Sequence, residues 1–246
     1  MNDQKSRLDN HYDTYRRDSR QDDLMRELVV QTIEGYLHPG GRGLELGCSD
    51  GYMSEMLSSR MASLDVIEGS ARFIEEARGR QLQNTRFHHL LFEEYESDQP
   101  FDYVFASYIL THIAEPARLF AMIRRALVSD GLLFVVVPNA RAISRQLALH
   151  MGLIDDLKGL TRNDIDHGHC RTFDRVDLNR MLASNGFDVI DQGGIMLKPL
   201  ADFQMDALYR NQVLNRSHVE GMYRLGREYP DLCSAIYCVC QLAGSN

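Results

Sequence analysis

Gly43-Leu44-Glu45-Leu46-Gly47-Cys48-Ser49-Asp50-Gly51 (43–51) reads as the end of a short buried strand running into a tight turn. Gly47 and Gly51 let the backbone bend sharply and approach a ligand closely. The following helix, marked by Met53, Met56 and Leu57, aims its first N–H groups toward the same point. Downstream the pattern repeats. Leu64 to Glu68 reads as a second strand, and Ser70 caps a helix carrying Phe73, Ile74 and Ala77. Arg86 to Leu91 is a third strand and Phe101 to Ala106 a fourth. Pro116 opens a helix with the stripe Leu119, Ile123, Ala126 and Leu127. Asp130-Gly131 then turns the chain into Leu132 to Val137, a continuous apolar run typical of a central parallel strand. Strands alternating with helices in this way mean a doubly wound parallel α/β sheet, a Rossmann-like architecture with right-handed crossovers.

Outside this block the pattern is looser. Residues 1–20 are polar and aromatic, with Tyr12 and Tyr15 suited to an aromatic lid, and Leu24, Leu28, Ile33 and Leu37 mark a helix ending at His38-Pro39-Gly40-Gly41. After Pro138 no strand is evident through residue 170, so this part reads as an inserted helical cap. A helix starts at Thr172 or Asp174, runs through Leu178 and Leu182, and stops at Asn185-Gly186. Phe187 to Ile190 is strand six, a polar helical stretch occupies about 201–229, and Ser234 to Cys240 is a last strand whose direction the pattern leaves open. The expected division is 1–40 (arm and helix), 41–138 (cofactor-binding core), 139–172 (substrate cap) and 173–246 (the rest of the sheet with a helical insertion).

The chain has 246 residues, with 27 Lys+Arg against 35 Asp+Glu for a net charge of −8, 44% hydrophobic residues and 25% charged residues. That balance argues against a nucleic-acid partner, which needs concentrated positive charge. No apolar run reaches the roughly 20 residues that cross a bilayer, so no membrane partner is expected. The first residues lack the apolar core of a secretion signal. Five cysteines give no disulfide framework, so the expected location is a reducing cytoplasm. A homodimer stands among the expectations.

Glu68 closes the second strand 21 residues after Gly47, a spacing suited to a carboxylate that accepts both hydroxyls of an adenosine ribose. A dinucleotide site wants G-x-G-x-x-G, but Ser49 and Tyr52 stand where its second and third glycines belong. Glu45, just before the turn, suits a cofactor with an amino group to receive. Together these features point to S-adenosylmethionine.

On these residues the chain resembles the class I S-adenosylmethionine-dependent methyltransferases, especially those acting on small molecules. The resemblance covers roughly 40–195 and rests on Glu45 to Gly51, with Ser49 in place of the middle glycine. It continues through Val66 to Ser70, Phe101 to Val104, Leu110 to Ile113, Asp130-Gly131 and Gly168 to Phe173. It implies a seven-stranded sheet with an antiparallel last strand. It also implies a cofactor site in which Glu45 and the turn Gly47, Cys48, Ser49 and Gly51 hold the methionine portion, and Glu68 and Gly69 the ribose. Ser107 and Tyr108 would lie near the methionine or the methyl group, and Tyr15 would close from the arm. The product would be S-adenosylhomocysteine. One departure affects adenine: Leu91 stands where the family often has an acid, leaving Phe92 to stack or to offer its backbone.

Methyl transfer needs alignment, exclusion of water and, for a hydroxyl acceptor, a base. His112, His167 and His169 are the candidate catalytic residues, since histidine titrates near neutrality. His112 can equally cap local backbone, and His167 and His169 can equally order a loop. Asp164, Asp166, His167, His169 and Cys170 include metal-ligand types, but no spacing matches a closed structural zinc site, so no metal is expected. The expected function is methyl transfer to a small-molecule hydroxyl, natural-product or quinone-like. An N-methyltransferase of a small molecule or peptide is the alternative. A nicotinamide-dependent oxidoreductase and a non-catalytic cofactor-binding partner are the readings from other classes.

Overall fold

The computed structural model describes residues 19–244 together with Asp9 and Tyr12. Its strands are β1 (Arg42–Leu46), β2 (Ser63–Glu68), β3 (Thr85–His89), β4 (Phe101–Ser107), β5 (Leu127–Pro138), β6 (Phe187–Ile195) and β7 (Ala235–Leu242). The helices are α1 (Arg20–Ile33), α2 (Tyr52–Ser58), α3 (Ala71–Arg78), α4 (Pro116–Ala126), α5 (Ile143–His150), α6 (Arg162–Asp166), α7 (Arg175–Ser184), α8 (Asp202–Arg210) and α9 (Arg216–Glu228). One sheet holds all seven strands in the order β3-β2-β1-β4-β5-β7-β6. β1 to β5 pair in parallel, and β7 runs antiparallel to both β5 and β6. This is the Rossmann-like sheet expected above, and it settles the direction of the last strand.

The two-residue period of β5 explains the layering. Leu133, Val135 and Val137 pack on one face with Leu119 and Ile123 of α4 and Leu178 and Leu182 of α7. Phe134 and Val136 point to the other face, among Leu24, Leu28, Val29 and Ile33 of α1 and Met205 and Val219 of α8 and α9. Each fully buried Leu, Ile or Phe contributes roughly 1.5–3 kcal/mol, so this strand anchors both layers. Phe105 and Phe134 stack at 5.2 Å across the pair β4–β5.

Several boundaries differ from the sequence reading: the first helix ends at Ile33, not near His38, β7 spans Ala235–Leu242, and three further strands depart from that reading. β5 begins at Leu127, which pairs with Phe101, and a register shift takes up Asp130-Gly131 inside the strand. β3 stops at His89 because Leu91 already leads into a 3-10 turn at Phe92–Glu94. β6 runs on to Ile195, paired with Ala235, because its polar Asp191-Gln192-Gly193-Gly194 hides an extended backbone held by β7.

The topology places both insertions at one edge. β5 and β6 run parallel to β1, so the chain leaves each at the carboxyl edge, where the strand order reverses between β1 and β4. Asn139 and Phe173 form an isolated parallel bridge, so the segment between them departs and returns at one point. The Asn139 amide nitrogen Nδ2 also donates to the carbonyls of Asp231 and Cys233, both at 2.9 Å, tying in the root of the second insertion.

Candidate functional site

The turn after β1 is built from left-handed residues. Gly47 has φ +76°, Ser49 +50° and Gly51 +76°. A Cβ on Gly51 would lie 2.7 Å from Ala77 Cβ and 2.9 Å from Ala77 Cα, so this glycine lets α2 sit against α3. A Cβ on Gly47 would instead point toward Ile109 Cγ2 at 3.2 Å, Phe92 Cζ at 3.9 Å and Glu68 Oε2 at 4.0 Å. Gly47 therefore faces a space shared by β2, β4 and the 3-10 turn. Ser49 holds a conformation uncommon for a residue with a side chain, at the position where the family pattern has glycine.

The first amide of α2 is not open toward a ligand. Asp50 Oδ1 accepts from Tyr52 N at 3.1 Å and pairs with Arg26 of α1 at 2.9 Å. Arg80 Nε adds a bond to the Asp50 carbonyl at 2.7 Å. The turn is thus clamped by Arg26 of α1 and by Arg80 just past the end of α3, while the amides at 48 and 49 turn toward β2.

Those amides meet Glu68. Its Oε2 accepts from Cys48 N at 3.1 Å and Ser49 N at 3.4 Å, and its Oε1 from Ser70 N at 2.9 Å. Glu45, one strand over, is also buried and accepts from the Ser54 hydroxyl at 2.5 Å. Burial pushes Glu45 up to about 8; the Ser54 hydrogen bond opposes that, and the nearby Glu68 charge adds to it. Burial also raises Glu68, against the lowering effect of its amide donors. Burial pushes the Cys48 thiol up as well, with the charges of Glu68 and Glu45 acting the same way. Gly69 is buried beside Glu68, and its carbonyl lies 3.0 Å from His89 Nε2.

Three expected cofactor residues carry polar atoms that are out of solvent without a hydrogen-bond partner: Ser49 Oγ, Ser107 Oγ and the Tyr108 hydroxyl. Tyr108 also has φ +61°, unusual for a bulky residue and a mark of functional sites. Buried polar groups in folded proteins nearly always find partners, so unpartnered ones on the turns after β1 and β4 suit a polar ligand. Two buried carboxylates, a partly buried glycine turn and orphaned hydroxyls match a nucleoside bearing positive charge and hydroxyl donors. S-adenosylmethionine fits this donor set. Phe92 presents its ring edge to the Gly47 face, whereas Leu91 is buried and donates its N–H to Glu94 at 3.0 Å.

Tyr15 lies outside the described residues. Tyr12 packs edge-on against Phe73 at 5.0 Å with the Arg72 guanidinium 4.1 Å above its ring. Asp9 Oδ1 accepts from the Ser70 hydroxyl at 2.6 Å. This part of the arm thus rests on the start of α3, next to the end of β2.

The three histidines come together although 57 positions separate the first from the last. The rings of His112 and His169 meet edge-on at 4.8 Å, and those of His167 and His169 lie 6.5 Å apart. His112 Nδ1 lies 3.3 Å from the Gly168 carbonyl, and Cys170 N donates to the Thr111 carbonyl at 2.8 Å, so the 168–170 segment is stitched to the chain after β4. His112 N donates to Ile109 O at 2.9 Å, and Ile109 borders Gly47. The cluster is therefore one turn of chain away from the glycine face. His167 Nδ1 lies 2.7 Å from the Asn163 carbonyl, within its own turn. His169 Nδ1 faces Asp164 Oδ1 at 3.2 Å. Burial would raise Asp164, but hydrogen bonds from His169 and Thr161 and the Arg145 charge outweigh it and hold the carboxyl well below its usual range.

Sequence reasoning placed Asp164 among metal-ligand types and missed it as the histidine's partner; its spacing of five from His169 was the available signal. Among the described residues no group of three His, Cys, Asp or Glu could hold a metal ion. Ile109, Arg26 and Arg145 were also missed, because an apolar residue after β4 and arginines on helices look like ordinary core and surface.

A family model described as "Methyltransferase domain" matches residues 13–192. The Ubiquinone biosynthesis O-methyltransferase of Aeromonas salmonicida is 27% identical over 171 residues, covering 66% of this chain and 69% of that protein. The protein of the same name from Thiobacillus denitrificans is 26% identical over 166 residues, covering 65% and 70%. Among solved structures, the DhpI-SAM-HEP complex superposes with a TM-score of 0.59 at 16% identity, over 97% of this chain and 95% of that one. The [4+2]-cyclase SpnF superposes with a TM-score of 0.60 at 20% identity, over 90% and 80%. The family match spans most of the chain: this protein belongs to the methyltransferase-domain family and is a class I S-adenosylmethionine-dependent methyltransferase.

Proposed function

We propose that this methyltransferase transfers its methyl group to the hydroxyl oxygen of a small molecule, with His169 accepting the proton. The pairing of His169 Nδ1 with Asp164, at 3.2 Å, carries this reading. An Nδ1–H donated to a carboxylate leaves Nε2 as the basic nitrogen, the arrangement a general base requires. Bound S-adenosylmethionine supplies an electrophilic methyl on a sulfonium, so the acceptor oxygen gains the methyl as the carbon–sulfur bond breaks.

The chain's own residues do the rest. Glu68 offers carboxylate oxygens to the ribose hydroxyls, and Gly47 gives backbone approach. Glu45 counters positive charge. Ser49, Ser107 and Tyr108 offer their hydroxyls to the methionine portion, and Phe92 borders adenine. His169 takes the acceptor's proton as the oxygen loses it, and His112 packs against the ring that holds it. The segment 139–172 shields the acceptor from water. A net charge of −8 and the names of the curated relatives favour a small acceptor, a phenol of quinone-like shape, over a nucleic acid.

The test uses catechol as acceptor and His169→Ala and His169→Gln as variants. A base contributes about 10²–10⁴-fold, so kcat/KM falls by at least a hundredfold while the calorimetric Kd for S-adenosylmethionine stays within about threefold. A loss below tenfold in both variants refutes the base assignment. Methylation of amines but of no hydroxyl compound across a matched panel refutes the oxygen preference.

A further inference from the structure

We propose that Arg145 is a positioning residue: it holds Asp164, and through Asp164 the imidazole of His169, in the orientation that accepts the proton. The inference rests on the His169 reading above. Its basis is the unusual set of partners around one guanidinium. Arg145 Nη1 pairs with Asp164 Oδ2 at 3.2 Å, Nε donates to the Leu157 carbonyl at 2.6 Å, and Nη2 donates to the Gly159 carbonyl. The side chain is only 16% exposed, so these bonds form largely out of water, where they count for more than at a surface.

One side chain of α5 thus gathers three separate points of the segment. Two are carbonyls of the 157–159 loop, and the third is the carboxylate that orients the histidine. The same loop is fixed from the other side: Lys158 Nζ pairs with Asp174 at 2.7 Å, and the Lys158 carbonyl accepts from the Thr172 hydroxyl at 2.8 Å. Thr161 adds its N–H at 2.8 Å and its hydroxyl at 2.7 Å to Asp164 Oδ2. Oδ2 is therefore saturated by donors, and Oδ1 is left to the histidine at 3.2 Å. Without the guanidinium, Asp164 keeps Thr161 and His169 but loses its tie to α5 and to the 157–159 loop, so the turn that carries the dyad is no longer held in place from outside. Lysine cannot replace arginine here, because an ammonium is a point charge and not a planar fork with donors in three fixed directions.

Catechol turnover with saturating S-adenosylmethionine tests the inference. Arg145→Met and Asp164→Asn each lower kcat by about ten- to a hundredfold, the scale expected for a misplaced catalytic group. KM for S-adenosylmethionine stays within about twofold, since neither residue reaches the glycine face. The double variant is no slower than Asp164→Asn alone, because Arg145 acts only through that carboxylate. Ethylguanidinium added to Arg145→Ala restores part of kcat, and fails to do so when Asp164→Asn is also present. Asp164→Asn keeps the loop bonds of Arg145, so it reads the dyad even if the arginine variants loosen α5; thermal melts of all variants show which case applies. Additive losses in the double variant, or an Arg145→Met enzyme within twofold of the parent beside an impaired His169→Ala, overturn this inference alone. Full activity in His169→Ala overturns it together with the base assignment.

Discussion

Gly51 and Gly47 share a φ of +76°, yet alanine at the two positions should fail in opposite ways. In both variants the left-handed backbone costs roughly 1–2 kcal/mol. At Gly51 the new methyl would also sit 2.7 Å from Ala77 Cβ and 2.9 Å from Ala77 Cα. Backbone cannot step aside as a side chain can, so overpacking adds about 1–3 kcal/mol. The total is about 3 kcal/mol, which for a chain of this size lowers Tm by roughly 6–12 °C. At Gly47 the nearest atom is Ile109 Cγ2 at 3.2 Å, a side-chain methyl that has to give by only a few tenths of an ångström, so the fold loses little beyond the backbone term, roughly 2–8 °C. That methyl, however, projects toward Phe92 and Glu68 Oε2, into the proposed cofactor space. Calorimetry well below either Tm should show S-adenosylmethionine weakened about tenfold or more in Gly47→Ala, a loss of about 1.4 kcal/mol, and much less in Gly51→Ala. A Gly51→Ala protein within 1 kcal/mol of the parent in urea, or a Gly47→Ala protein that loses stability but no affinity, would refute this division of labour.

The remaining predictions concern charge and capping. Glu45 is raised to about 8 in the folded state, so the native protein binds more protons than the unfolded chain between the ordinary glutamate range and that value. Stability then falls as pH rises through this window, by at most about 1.4 kcal/mol per pH unit, and Glu45→Gln flattens the slope in urea unfolding at pH 5.5 and 8. An unchanged slope would show that Glu45 is ionised throughout. Binding a cation beside this carboxyl should release a proton near pH 7, seen as a calorimetric enthalpy that depends on the buffer's ionisation heat. Asp206 is buried and accepts from Gln21 N at 2.8 Å and the Ser19 hydroxyl at 3.1 Å, fastening the start of α1 to α8. Asp206→Ala leaves these donors unpaired and should cost about 2–4 kcal/mol in chemical denaturation.

Much of the scaffold was legible because burial on both faces of a parallel sheet enforces a local signature. Leu132 to Val137 has to be apolar throughout, and Pro116 and Ser70 announce helix starts by their own chemistry. Where a strand's side chains are polar, as at Asp191 to Gly194, the signature vanishes and only pairing with β7 reveals it. The acids of the candidate site stood out for a related reason. Glu45 and Glu68 close apolar strands, and a carboxylate there is costly enough to need a purpose.

Local pattern alone determined the alternating strands and helices, the glycine turn and the two acids at adjacent strand ends, since these follow from periodicity and backbone freedom within a few residues. The tertiary structure decided the direction of β7, the clamp of Arg26 and Arg80 on Asp50, and the meeting of His112 with His169. Those contacts join residues from about 24 to more than 100 positions apart. The histidines meet because the insertion after β5 leaves the sheet at the same edge as the chain after β4, a juxtaposition that depends on strand order and not on any neighbouring residue.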